Sequence, residues 1–282
     1  MIDKRIRNVL LVFIIPALAF YVIFWISPVL MSFYYGLTNW RGLGTYDFIG
    51  LTNYENLIKQ GTLFDSMGNT IKYTLFVVIW GNVQALALAL ILNMKLRARG
   101  VFRTIFYIPA LFSTIVVAFL WSYVYAPRFG MISEIFSMLG ISDAPNLLGN
   151  RATSLFAAAF VETWKTSGTM TIIYLAGHQN ISDEVIESAK IDGCTGWQAI
   201  RYVKIPMLSN TITVNVMLGL SGGFKSFDYI FALTSGGPGD SSSTLMYTIY
   251  KMAFVEMQYG KAEALAAMAF VFILVVSIVV LT

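Results

Sequence analysis

Long apolar segments alternate with short polar ones along this chain. Because the hydrocarbon core of a bilayer needs about 20 mainly apolar residues in a helix, each long segment is a candidate transmembrane span. A transmembrane β-barrel would instead show alternation over segments of about ten residues. The pattern therefore predicts an all-α integral membrane protein with a single membrane domain over residues 1–282. The six predicted spans are Val9–Phe33, Ile71–Leu92, Thr104–Tyr125, Ser154–Ala176, Met207–Phe224 and Ala262–Thr282.

The two ends of the chain are apolar. The first span is longer than the 7–15-residue core of a signal peptide and lacks a clear small-x-small cleavage site, so we expect an uncleaved anchor. The last span ends without a basic tail, which leads us to expect further residues in the natural protein.

The polar segment between the fourth and fifth spans has local helix signals. Ser182 and Asp183 are suited to cap a helix, and Asp192-Gly193 is suited to end it, because glycine enters left-handed backbone conformations at little cost. Thr195 and Gln198 have the spacing of a capping box for a second helix. The segment therefore predicts two short helices with a bend between them.

Other polar segments lie on the opposite side of the membrane. Thr52-Asn53-Tyr54-Glu55 has capping-box spacing and predicts a short helix through about Gln60. Thr234–Thr244 is rich in glycine and serine and predicts turns, and the segment after it has the length and composition of a helix.

Composition agrees with a membrane protein and narrows the chemistry. Hydrophobic residues make up 57% and charged residues 12% of the chain, against roughly 25% charged residues in a soluble domain. One cysteine, Cys194, excludes an intrachain disulfide, and one histidine, His178, excludes an ordinary histidine metal cluster. We expect no metal or cofactor and no enzymatic activity, since neither an H-E-x-x-H motif nor a Ser/His arrangement is evident.

The basic residues have an uneven distribution between the two sets of loops. The loops that begin with the N-terminus are strongly basic, whereas the opposite loops mix basic and acidic residues. The positive-inside rule therefore places the N-terminus and the polar segment in the cytoplasm. The basic residues of the first set are Lys4, Arg5, Arg7, Lys95, Arg97, Arg99, Arg103, Lys190, Arg201 and Lys204.

The cytoplasmic segment also contains a sequence signature. Glu187-Ser188-Ala189, Asp192-Gly193-Cys194 and Ile205-Pro206 stand at the spacing of the E-A-A, D-G-A and L-P elements of one family. At this point the chain resembles the permease subunits of ATP-binding-cassette importers. "FIGLTNYENL", "FDYIFALTSGGP", "STLMYTIYKMAF" and "YGKAEALAA" resemble signatures of its carbohydrate branch, typified by the maltose and glycerol-phosphate systems.

This resemblance implies a function and a set of partners. The chain would be a non-catalytic permease subunit that moves a sugar or oligosaccharide across the cytoplasmic membrane of a prokaryote, with glycerol-phosphate or another polyol as an alternative solute. Its partners would be a second, similar permease subunit, two ATPase subunits or domains, and an extracellular solute-binding protein. Residues 182–206 would form the coupling loop that docks on the ATPase. The coupling residues would be Glu187, Ser188, Ala189, Asp192, Gly193 and Pro206.

Two charges inside the fourth span suggest a translocation path. Each charge at the centre of a membrane helix costs roughly 2.5–3.5 kcal/mol, and about 100° per residue puts Glu162 and Lys165 on one face with two threonines. The resemblance implies that the fourth and fifth spans line the sugar site, with Trp164 as a possible platform. An internal Glu162–Lys165 ion pair is the alternative. The path residues would be Glu162, Trp164, Lys165, Thr166, Thr169, Asn215, Ser221 and Lys225.

Other functions were weighed against this one. An ion-coupled secondary transporter would use Glu162 and Lys165 as its coupling site, and an inverted repeat would favour it, but none is evident. Gly219–Ser226 is a near miss to a phosphate-binding loop. Phe224 precedes Lys225 where that loop needs glycine, so we expect no nucleotide to bind this chain.

Overall fold

The computed structural model describes residues 4–94, 97–141 and 143–281, and the side chains of 13–94, 97–141 and 143–279 within them. Lys95, Thr282 and the side chains of Lys4, Arg5 and Arg7, which entered the predictions, lie outside this part. The α-helices are α1 (Lys4–Tyr21), α2 (Ser27–Tyr35), α3 (Thr52–Lys59), α4 (Thr62–Leu92), α5 (Arg99–Leu111), α6 (Thr114–Val124), α7 (Met131–Met138), α8 (Ser154–Gln179), α9 (Asp183–Ile191), α10 (Gly196–Ala199), α11 (Ile205–Met207), α12 (Ser209–Phe224), α13 (Leu245–Tyr250) and α14 (Tyr259–Leu281). The π-helical segments are Val22–Ile26, Ile200–Lys204, Ile230–Thr234 and Lys251–Val255.

The predicted all-α membrane fold is confirmed. Three helical stretches in the described chain are long and apolar enough to span a bilayer, namely Phe13–Tyr35, Thr62–Leu92 and Tyr259–Val279. Two bent helix pairs raise that number to five if each pair is one span. The 26-residue helix α8 is not among them. The count of six spans therefore stays a prediction.

The third predicted span, Thr104–Tyr125, is not one continuous helix. The chain bends by 101° between α5 and α6. Pro109 lies in the last turn of α5 and has no N–H to continue the helical ladder, and Phe112 is extended. Ser113 then caps α6 by accepting a hydrogen bond from the Val116 N–H. These local signals end α5 and start a new helix within the predicted span, and the span itself stays a prediction.

A second bend precedes α12. The stretch Gly196–Met207 meets α12 at 70°, and Leu208 at the bend is buried. The predicted fifth span began at Met207, whereas the helix begins at Ser209. A Cβ added to Gly177 of α8 would come 2.9 Å from the Leu208 side chain, so the bend rests directly on α8.

The chain divides into two compact units, Met67–Tyr247 and a second made of Met1–Ser66 with Thr248–Thr282. In the first unit, α4 and α8 pack through a buried apolar cluster that α5 and α12 extend. Glycines bring α12 close to α4, because a Cβ on Gly223 would come 2.7 Å from the Thr74 Cα. The absence of a side chain at Gly223 therefore allows close packing of the two helices. The members of the buried cluster are Ala85, Ala89, Leu92, Met170, Tyr174 and Leu175.

In the other unit, α2 and α3 pack against α14. The short helix α3 was predicted, but its capping box is absent. The N-cap is Leu51, and the Thr52 hydroxyl donates to the Ile49 carbonyl instead. Asn53 is buried and its Nδ2 donates to the carbonyls of Gly36 and Thr38, which ties α3 to the loop after α2.

The predicted turn-rich loop Thr234–Thr244 is confirmed as a series of turns. Ser242 is fully buried within it, and its hydroxyl donates to the Gly237 carbonyl at 2.8 Å. The helix predicted after the loop is α13 with its π-helical continuation.

Candidate functional site

The polar segment between α8 and α12 folds as its local sequence predicted. Helix α9 ends at Ile191, and Gly193 adopts the left-handed conformation with φ of +81°. The N–H groups of Gly193 and Cys194 donate to the carbonyls of Lys190 and Ala189 at 3.1 and 3.0 Å. These two bonds are those of a Schellman motif, which satisfies the last carbonyls of a helix.

The second helix begins with the predicted capping box. The Gln198 N–H donates to the Thr195 hydroxyl, and the Thr195 N–H donates to the Gln198 side-chain carbonyl. Ser182 occupies the N-cap position of α9 but makes no side-chain capping bond. Two helices with a fixed bend therefore present this segment.

The exposed side chains of the segment differ in part from those predicted. Glu187, Ser188, Asp192 and Pro206 are exposed. Ala189 is buried, however, so it packs inside the segment and offers no surface for close approach.

Large apolar side chains occupy the surface instead. Ile191 is 86% exposed and Trp197 and Tyr202 are each 68% exposed. We call these three residues the loop apolar surface. Ile191 lies at the bend, and the other two residues follow it in the chain. In the sequence, each can be recognised as a large apolar residue within a polar segment. None of the three was among the predicted coupling residues, most of which are small or charged.

In the fourth predicted span, Glu162 is buried and reaches a neighbouring helix. Its Oε2 accepts a hydrogen bond of 2.7 Å from the hydroxyl of Tyr73 in α4. A Cβ on Gly222 of α12 would come 2.8 Å from Oε1. The carboxylate therefore lies where α4, α8 and α12 meet.

The remaining polar residues of α8 do not form the predicted ion pair. No contact within 4.0 Å joins Glu162 and Lys165 in the described chain, where the ion pair found is Lys59–Glu55. That alternative is wrong because Glu162 turns toward Tyr73. Thr166 donates back to the Glu162 carbonyl, and Thr169 is exposed.

Trp164 lies on a different side of α8. Its ring is T-shaped to Trp121 of α6 at 5.4 Å between centroids. Position 164 stands about 200° from position 162 around a helix, which separates it from the polar face. An apolar cavity of about 490 Å³ lies nearby, lined by Trp121, Tyr125 and Phe160 among others.

The three candidates in and directly after α12 fall into two groups. Asn215 is fully buried, and its Nδ2 donates to the Met170 carbonyl of α8 at 3.2 Å. Ser221 and Lys225 are exposed. Asn215 thus joins the two helices, and the other two residues are open to contact from outside.

Tyr73 is the partner that sequence reasoning missed. Thr70, Tyr73 and Thr74 recur at helical spacing inside an apolar span, which is a usable signal of a polar face. Among the described residues, no group of three or more His, Cys, Asp or Glu side chains is placed to hold a metal ion.

Known proteins resemble this chain over most of its length. Residues 81–282 match the family described as binding-protein-dependent transport system inner membrane component. The multiple sugar-binding transport system permease protein MsmF of Streptococcus mutans is 34% identical over 94% of this chain and 91% of its own length. The trehalose/maltose transport system permease protein MalF of Thermococcus litoralis is 32% identical over 95% of this chain and 90% of its own length.

A solved structure has the same fold. A chain of a bacterial alginate ABC transporter, crystallised with an alginate pentasaccharide-bound periplasmic protein, superposes with a TM-score of 0.84. The match covers 99% of this chain and 94% of that one at 24% identity.

Proposed function

The chain belongs to the binding-protein-dependent transport system inner membrane components, and from this membership we propose which solute it carries and how it is driven. It is a multi-pass membrane permease subunit of an ABC importer and not an enzyme. Permeases of this kind work with a substrate-binding protein and an ATPase. Nothing in these relatives favours the ion-coupled alternative.

The proposed solute is a sugar or oligosaccharide. Support comes from relatives above 30% identity whose names specify multiple sugars and trehalose or maltose. Residues 1–282 act as one permease domain in this proposal, paired with a second, similar permease subunit and two ATPase subunits or domains. The N-terminus faces the cytoplasm, as the distribution of basic loop residues favours.

The proposed drive is docking of the cytoplasmic loop, residues 182–206, on the ATPase. The observation that carries it is the loop apolar surface, held out by a capped and bent pair of helices. Exposed aromatic residues surrounded by polar ones are typical anchors of protein interfaces. Glu187, Ser188, Asp192, Gly193 and Pro206 would orient the contact, while buried Ala189 fixes the loop from inside.

The proposed path runs along α8 and α12. Lys165, Thr169, Ser221 and Lys225 would meet the solute, because each is at least partly exposed. Glu162 and Asn215 would hold the helices that form its wall, and Thr166 bonds to the same helix. Trp164 would face the solute only from the side of α6, where it contacts Trp121.

Reconstitution with a matched pair of tryptophan variants tests this function. The chain would be placed in proteoliposomes with its second permease, the ATPase and the binding protein, and ATP-dependent sugar uptake measured. Trp197→Ala should weaken ATPase association about 30-fold or more, since an interface anchor is worth about 2 kcal/mol or more. Trp25→Ala is the control, because Trp25 is 70% exposed but lies in the first helical stretch.

Two results would refute the proposal. Accumulation of sugar by the chain without any ATPase would remove the importer function. Equal ATPase affinity for Trp197→Ala and Trp25→Ala would leave the importer function intact but remove the loop apolar surface as the docking site.

A further inference from the structure

A polar pocket of about 280 Å³ lies within the unit formed by the first 66 residues and the C-terminal segment. It shares no residue with the loop of residues 182–206 or with α8, and the importer function assigns it no role. The residues that line it are Thr38, Asn39, Trp40, Arg41, Asn53, Asn56, Gln258 and Lys261.

The walls of the pocket are fixed by close backbone contacts. Gly260 lies directly against the Thr38 carbonyl with no room for a Cβ, and its N–H donates to the Trp40 carbonyl at 2.8 Å. Gly42, with φ of +93°, lies against the ring of Tyr259. The Asn53 side-chain amide donates a hydrogen bond of 2.8 Å to the Thr38 carbonyl. The pocket is therefore formed before any ligand arrives.

The charge of the pocket is positive. Arg41 and Lys261 line it, and no carboxylate does. Lys261 donates to the neutral Gln60 side chain, and Asp47 bonds to Asn39 but is not a lining residue. No ion pair within 4.0 Å neutralises either cation in the described chain. Two cations beside amide donors suit an anionic oxygen group, which arginine can bind through two parallel hydrogen bonds.

The pocket lies at the ends of two membrane helices, where lipid headgroups are found. It lies where α2 ends at Tyr35 and α14 begins at Tyr259, two helices that belong to membrane spans. Trp40 stacks on Tyr35 at 4.6 Å and lies 5.3 Å from Tyr259 between ring centroids. Clusters of Trp and Tyr mark the boundary between hydrocarbon and water.

Several exposed apolar side chains lie close in sequence to the residues that line the pocket. Leu43 and Phe48 follow Arg41 in the same loop, and Val255 and Met257 precede Gln258. They are 91%, 68%, 65% and 54% exposed, respectively. Apolar side chains that flank a cationic pocket suit acyl chains better than they suit water.

We propose that this pocket binds the phosphate of an anionic phospholipid, such as phosphatidylglycerol, with Arg41 and Lys261 as the phosphate ligands. Basic pockets between membrane helices bind anionic headgroups on the cytoplasmic side, and we apply the same charge pairing to this pocket. The volume is slightly below the roughly 300–1,000 Å³ of small-molecule sites, which suits a headgroup rather than an oligosaccharide. The predicted orientation makes this the external leaflet.

Lipid retention by the full chain, purified in detergent, tests the proposal. Native mass spectrometry would follow titration with phosphatidylglycerol and, separately, with phosphatidylcholine. The double variant Arg41→Gln/Lys261→Gln should lose retention of phosphatidylglycerol about tenfold or more. Lys59→Gln is the matched control, because Lys59 is a nearby exposed cation that pairs with Glu55 and does not line the pocket. It should retain the lipid as the unchanged chain does.

The other arms separate this ligand from competing ones. Arg41→Lys/Lys261→Arg keeps both charges and should retain the lipid, which rules out a loss caused by misfolding. Equal retention by the double variant and Lys59→Gln would overturn the proposal. Displacement of the lipid by millimolar inorganic phosphate would make this a free-anion site, and loss of binding-protein affinity with unchanged lipid retention would make it a protein-docking site. Both results would also overturn the proposal.

Discussion

Replacement of Gly193 by alanine isolates the bend of the cytoplasmic loop. A Cβ at this position would meet no atom within 4 Å, so the substitution introduces no clash. The backbone, however, has a φ of +81°, in the left-handed region. An L-residue pays roughly 1–2 kcal/mol for that conformation. The whole effect of Gly193→Ala is therefore conformational, and it shifts the loop equilibrium by about 5- to 30-fold.

The chain provides a matched control for this substitution. Gly196 also has open space around its Cβ position but does not have a positive φ. Because Gly196 is the first residue of α10, Gly196→Ala should be neutral or slightly stabilising. Asparagine tolerates the left-handed region better than alanine, so the effect of Gly193→Asn on the loop equilibrium should be smaller than that of Gly193→Ala.

The assay is ATPase association and transport by the assembled importer in proteoliposomes. If only the bent loop binds the ATPase, the apparent dissociation constant rises by the factor by which the bent population falls. Gly193→Ala should raise it, by at most the shift of about 5- to 30-fold in the loop equilibrium, and reduce the sugar moved per ATP, while membrane insertion stays normal. If Gly193→Ala and Gly196→Ala gave the same dissociation constant and the same coupling, the Schellman bend would have no part in docking.

Two further substitutions test the helix junctions of the membrane domain. Tyr73→Phe removes the hydrogen bond to buried Glu162 and leaves a carboxylate oxygen without its donor, so we expect a loss of about 1–3 kcal/mol and a lower thermal midpoint in detergent. An unchanged midpoint would show that another donor replaces the tyrosine. Gly223→Ala places a Cβ 2.7 Å from the Thr74 Cα and should lower the free energy of unfolding by about 1–3 kcal/mol. Gly68→Ala is the control, because its Cβ would meet nothing within 4 Å, and it should lower the thermal midpoint less than Gly223→Ala does. Equal midpoints for these two variants would contradict the close α4–α12 contact.

The features predicted correctly are those that neighbouring residues decide. The Thr195–Gln198 capping box and the Gly193 bend each depend on groups within a few residues, so the sequence contains the whole cause.

The features missed depend on residues far apart in the chain. Tyr73 and Glu162 are 89 positions apart, and no local pattern pairs a tyrosine of one span with a carboxylate of another. The ion pair offered as the alternative therefore joined Glu162 to Lys165, a nearby opposite charge along the helix. The capping box at Thr52 failed for the related reason that Asn53 binds carbonyls of a preceding loop and fixes the start of α3.

The buried bend at Leu208 has a mechanical consequence. The arm before it, Gly196–Met207, is about 18 Å long, and α12 after it is about 24 Å long, at 1.5 Å per residue. With Leu208 seated on α8 as a fulcrum, a rigid rotation moves the far end of α12 about one third further than the loop end that is pushed. If residues 182–206 dock on an ATPase as proposed, a small displacement of the loop is therefore enlarged at the far end of α12.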